Sequence, residues 1–147
     1  MSEGSFRDFL ADSFTILRRE MPPAYAALCR CLAGHEVTLV VDGESVPVQF
    51  ESEQALLLSA PVAPIIDVRT TSAAILDLVE ACCTLDEAVM ADRLLLRGSP
   101  RDLLLFHDGL MAYFHGALRA PSFPRLLQSF RSASRTTERP LTPEETG

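Results

Sequence analysis

Apolar residues recur along the chain with two different periods, and the switches between them mark out the elements. Over residues 5–20, Phe6, Phe9, Leu10, Phe14 and Leu17 fall on one helical stripe. Met21-Pro22-Pro23 ends that helix, because proline lacks an N–H and biases its predecessor away from the α region. Pro23 suits the first turn of a second helix over residues 24–32, and Gly34 suits its stop. The period then becomes two. Val37, Leu39 and Val41 alternate on one strand, and Val46, Val48 and Phe50 on the next. Asp42-Gly43 between them predicts a tight hairpin, since glycine supplies the positive φ that the turn needs. Pro47 cannot donate to a ladder, which points to an edge position or a bulge.

Two more strands are predicted over residues 55–59 and 65–71, with Ile66, Val68 and Thr70 opposing Asp67 and Arg69. Thr71 or Ser72 caps a helix over residues 73–81. Thr84 followed by Glu87 has the form of a capping box before a short helix over residues 85–90. Residues 94–97 make a fifth strand closed by Gly98. Ser99-Pro100 starts a long helix to about residue 118, with Leu103, Phe106, Leu110, Phe114 and Ala117 on its core side. Residues 124–133 form a last helix. The order is α-α-β-β-β-β-α-α-β-α-α, an α+β two-layer domain with helices on one face of a mixed sheet. The fifth strand follows a helical excursion, so it is expected to join the sheet in parallel. One domain is expected over residues 1–132, opening with a helical pair over 1–34. A disordered tail rich in Thr, Arg, Glu and Pro is expected over 133–147.

Composition narrows the function classes. The chain has 147 residues, 48% of them hydrophobic, enough for one full core. Its net charge is −7, so nucleic acid is a poor partner. All 13 basic residues are Arg, which removes Schiff-base and P-loop lysine chemistry. No basic start precedes an apolar stretch, no apolar run approaches the roughly 18 residues of a membrane span, and the end is not a peroxisomal address. A cytoplasmic protein without a transmembrane segment is therefore expected. Cys29, Cys31, Cys82 and Cys83 match no zinc spacing and are read as reduced thiols in apolar segments. No metal and no cofactor is expected. No Gly-x-Ser-x-Gly, Gly-x-Gly-x-x-Gly or His-Glu-x-x-His motif occurs.

The remaining chemistry is sparse. His107 and His115 lie about two helical turns apart, with Asp108 beside the first, and are candidates for a general base or part of a metal site. Their simpler role is that of solvent-facing residues flanking an apolar stripe. Asp67 and Arg69 form a surface pair or a polar mouth. Arg97 and Arg101, flanking Gly98-Ser99, are placed to hold a phosphate or carboxylate near a helix start.

Residues 65–118 carry a wider pattern. Asp67-Val68 opens a strand that runs into the helix with Ile75, Leu78 and Val79; a loop and short helix follow, then a strand ending in Gly98 and a long apolar helix. In order and spacing this resembles the C-terminal half of a sterol-carrier-protein-2-like (SCP2-like) domain, and the hairpin over residues 37–50 fits that family's opening strands. The chain departs from the family in having Cys82-Cys83 where a glycine is common, and Asp92-Arg93 where a Gly-Lys pair is common. The resemblance implies a five-stranded, mainly antiparallel mixed sheet covered by helices, with an apolar tunnel that binds a lipid, sterol, fatty acyl group or other hydrophobic metabolite. Phe50, Leu57, Ile66, Val68, Ile75, Val79, Leu103, Phe106, Leu110 and Phe114 are its expected lining. Two other functions compete with a carrier. One is an isomerase, cyclase or hydrolase of a hydrophobic metabolite built in the same cavity. The other is a partner domain whose apolar helix faces meet a second copy or a pathway protein.

Overall fold

Six helices lie against a five-stranded sheet in the computed structural model, which describes residues 5–80 and 83–138. Helix α1 spans Phe6–Glu20, with the Ser5 hydroxyl accepting from the Asp8 N–H as its cap. Helix α2 spans Pro22–Leu32 with proline in its first turn, where the missing N–H costs nothing. Gly34 stops it at a φ of +83°. Strands β1 (Glu36–Val41) and β2 (Glu44–Phe50) form the expected hairpin. Asp42 and Gly43 both take positive φ, +53° and +86°, as a type I′ turn requires. Asp42 also fastens that turn to the next layer, since its carboxylate accepts from the Ser72 N–H at 3.2 Å.

The sheet order is β3-β2-β1-β4-β5, where β3 is Ala55–Leu57, β4 is Pro64–Thr70 and β5 is Leu95–Arg97. Only β1 and β4 pair in parallel, at the centre of the sheet. The remaining pairs are antiparallel. Pro47 lies in the second strand rather than at an edge. Its carbonyl accepts from Leu58, so its nitrogen also points away from β1, to where β3 has already ended. The missing donor thus removes no ladder bond with β1. To reach β4, the chain from 58 to 63 crosses β2 and β1. Glu36, only 3% exposed, holds this crossing: its carboxylate accepts from Ala63 at 2.8 Å and Val62 at 3.0 Å.

Beyond β4 come α3 (Ser72–Val79), capped by Thr71, and α4 (Leu85–Met90). The Thr84–Glu87 capping box forms in full. Strand β5 is antiparallel to β4, against the expected parallel pairing. The α3–α4 excursion returns to the end of the sheet that it left, where the Thr70 hydroxyl donates to the Arg93 carbonyl at 2.8 Å. A strand starting there can only run back. Helix α5 (Pro100–Ala117) then packs along α2, and α6 (Phe123–Glu138) along α1. Helix α6 extends past residue 133, so its last turns occupy the start of the expected disordered tail. Residues 139–147 of that tail lie outside the described residues.

Two packing devices bring the helices together. Gly109 and Gly116, two turns apart on α5, leave room for Leu32 and Ala24 of α2, so the two helix backbones approach closely. On the other flank Phe9 stacks on Phe130 with ring centroids 4.2 Å apart, and Phe6 and Phe123 close the cluster at 6.1–6.3 Å. Aromatic pairs of this kind add about 0.5–1.5 kcal/mol each beyond their buried area.

Candidate functional site

The helix-facing side of the sheet is not filled. Val37 and Val41 of β1 are buried at 1–2% exposure, yet Leu39 between them, at the centre of the middle strand, is only half-buried. Its side chain borders a pocket of about 110 Å³. Phe6, Phe9, Leu10 and Phe14 of α1 wall it on one side, and Leu28 and Leu32 of α2 on another. Val41, Phe50, Val68 and Thr70 form its floor. Ile75, Leu78 and Val79 of α3, Leu94, and Phe106, Leu110, Tyr113 and Phe114 of α5 complete it.

The sequence-based expectation and the pocket overlap in part. Phe50, Val68, Ile75, Val79, Phe106, Leu110 and Phe114 border it. Ile66 does not: it is buried beneath the turn into α5, against Gly98. Leu103 joins that same packing, and Leu57 sits on short β3 beside the pocket-lining strands, away from the lining. The walls from α1 and α2 are the larger omission. Their stripe was legible as apolar, but a stripe does not say what it faces.

The polar candidates go elsewhere. His107 and Asp108 form a pair at 3.6 Å whose side chains are 50% and 69% exposed, and neither borders the pocket. His115 is exposed and contacts Arg119 at 3.2 Å. The stripe that faces inward is the one through Phe106, Leu110 and Tyr113; these three polar residues lie off it on the same helix. They are therefore not brought together as a site. Asp67 and Arg69 pair at 2.9 Å on the sheet's other face, and Arg97 and Arg101 are exposed. Cys29 is buried, which pushes its thiol pKa up, while Cys31 and Cys83 are half-buried and all three are free. Cys82 lies outside the described residues. Among the described residues no group of three His, Cys, Asp or Glu side chains is placed to hold a metal ion.

Two residues that carry hydroxyls border the pocket, and both turn them to groups behind the lining. The Tyr113 hydroxyl donates to the Ser13 hydroxyl at 2.8 Å, which in turn donates to the Leu10 carbonyl at 2.8 Å. Thr70 donates to Arg93, as described above. Burial pushes the Tyr113 pKa from 10.0 up to about 12, with the Ser13 hydrogen bond pulling the other way. This sets an alkaline limit. Below pH 10 folded and unfolded chains both hold the phenol proton, and Tyr113 adds no pH dependence. Between pH 10 and about 12 only the folded chain holds it, so stability falls, by about 1.4 kcal/mol per unit. Tyr113→Phe should remove that slope at a cost of about 1 kcal/mol for the lost hydrogen bond. Urea titrations across about pH 9–12 test this; equal alkaline slopes in both proteins would show that Tyr113 is not the group responsible.

No protein-family model and no curated protein sequence matches the chain. Solved structures do. UbiJ-SCP2, a ubiquinone synthesis protein, superimposes with a TM-score of 0.54 at 18% identity, over 73% of this chain and 98% of that one. A conserved hypothetical protein from Thermus thermophilus gives 0.51 at 13% identity, over 77% and 90%. A crystal structure of sterol carrier protein 2 gives 0.51 at 11% identity, over 74% and 95%. At such identities the likeness is one of backbone architecture, and it covers nearly the whole of each neighbour: this chain has the sterol-carrier-protein-2-like fold.

Proposed function

We propose that the protein binds an apolar ligand in the pocket between its sheet and helices and acts as a carrier for it. The observation that supports this most is the lining: every wall is aliphatic or aromatic, and its two hydroxyls are engaged elsewhere. Hydrocarbon transferred there from water contributes about 0.8 kcal/mol per CH₂ before other costs, so affinity needs no polar anchor. The neighbours' names, a sterol carrier protein and a ubiquinone synthesis protein, suggest lipids as the class from which the ligand comes. An isomerase, cyclase or hydrolase would need at least two oriented polar side chains converging on its substrate, and the lining offers none unengaged. No helix among the described residues is long and apolar enough to cross a membrane.

Native mass spectrometry of the gently purified protein, followed by titration with fluorescent fatty acids, tests the proposal. A co-purifying or saturably bound apolar molecule is expected. Its absence in both experiments would reject a carrier role. Phe106→Ala locates the site. Phe106 is 8% exposed and borders the pocket, so it has fewer packing partners to lose than a ring in a solid core. The variant should remain folded, lose about 2 kcal/mol rather than the roughly 3–5 of a solid core, and shift preference toward larger ligands. A full core-sized loss with unchanged ligand preference would place Phe106 in plain packing.

A further inference from the structure

The pocket's size and its engaged hydroxyls restrict the occupant beyond its being apolar. The volume is about 110 Å³. For scale, an engineered cavity of about 150 Å³ lined by Leu, Ile and Phe takes up benzene. A common fatty-acyl chain has several times the carbons of benzene and does not fit whole. The walls are also braced. Phe14 meets Phe50 and Tyr113 edge to face, with centroids 6.4 and 6.2 Å apart, and Phe9 is backed by Phe130. A polar substituent carried deep inside would find no partner, because Thr70 and Tyr113 turn their hydroxyls to groups behind the wall and the surface left facing the space is apolar. Among the helix residues that border it, Ile75 and Leu78 of α3 and Leu110 and Phe114 of α5 keep partial exposure, and we take the side between these two helices as its opening.

Resting on the carrier function proposed above, we infer that the pocket holds one compact, unsubstituted hydrocarbon group about the size of benzene, a ring or a short alkyl terminus. The remainder of the ligand, with any polar group, stays outside between α3 and α5. Specificity is then set by the width of the inserted end and not by total chain length.

Titrating the full chain with benzene, hydroquinone and fatty acids of about six to sixteen carbons, followed by calorimetry and amide NMR, tests this. Benzene should bind saturably and shift the amides of Leu39 and Phe106. Hydroquinone cannot turn both hydroxyls to the opening, so it should bind about ten- to a hundred-fold more weakly. Fatty-acid affinity should level off once the terminus is seated, at about eight carbons. Leu39→Phe fills the pocket from the floor and should abolish benzene uptake; Ile75→Phe fills it from the opposite wall should the first variant fail to fold. Affinity that climbs steadily to sixteen carbons, or hydroquinone binding as well as benzene, would overturn the size and polarity limits while leaving the carrier proposal intact. No binding of any probe would overturn both.

Discussion

Gly116→Val should cost the domain about 3 kcal/mol or more, and in a marginally stable background it should leave the chain unfolded. A Cβ at Gly116 would stand 2.5 Å from the Ala24 Cβ and 2.8 Å from the Leu17 Cδ2. Neither neighbour can yield cheaply. The Ala24 Cβ is fixed to the α2 backbone, and Leu17 is fully buried. Helices α5 and α2 share the most extensive helix–helix contact of the fold, so the strain spreads along the whole interface. Valine adds two methyl groups beyond that Cβ and is stiff at χ1. Gly116→Ala is the informative control. It makes the same first overlap but regains about 1 kcal/mol of helix propensity, so its net loss should be smaller. Urea unfolding of both variants measures the difference. A valine variant within about 1 kcal/mol of the parent would mean that α5 stands further from α2 than described.

Glu36→Ala should cost about 3 kcal/mol, although no side chain ion-pairs with Glu36 among the described residues. The carboxylate is buried and serves backbone only, accepting from Val62 and Ala63. Hydrogen bonds to a charged group contribute about 1.5–3 kcal/mol each, and water entering the exposed crossing segment recovers part of two such losses. The effect should be local as well as global. Hydrogen exchange at Val62 and Ala63 should accelerate before the rest of the sheet is affected. Glu36→Gln keeps one acceptor oxygen and should lie between. Unchanged protection of the two amides in the alanine variant would show that the crossing is held by other means.

Much of the architecture was legible because local chemistry dictated it. Asp42-Gly43 specified its turn, Thr84 and Glu87 their capping box, and Met21-Pro22-Pro23 the break between two helices. The direction of β5 was not legible, because it depends on where the α3–α4 excursion re-enters the sheet, a tertiary fact. The pocket was legible only as apolar periodicity. Val37 and Leu39 occupy equivalent places in a period-two pattern, yet one is packed solid and the other borders empty space. Periodicity identifies the side of an element that faces inward; whether that side is filled depends on the volumes of residues far away in the chain. For the same reason Phe6 and Phe14 read as a helix face but not as walls, and the histidines of α5 stand out in the sequence in a way that their exposed positions do not sustain.

The parallel pair at the centre of the sheet also dictates the order in which the chain can assemble. Strands β1 and β2 meet across a two-residue turn, and hairpins of that kind close within microseconds. Strand β4 reaches β1 only after the intervening chain has looped back, a slower and entropically costlier closure. Until it arrives, the second edge of β1 carries unpaired backbone groups between Val37, Leu39 and Val41, which is a template for the same strand of another molecule. The seam that is most enclosed in the native protein is thus the one most open to misassociation in a nascent chain. The short crossing segment fastened by Glu36 is what brings that exposure to an end.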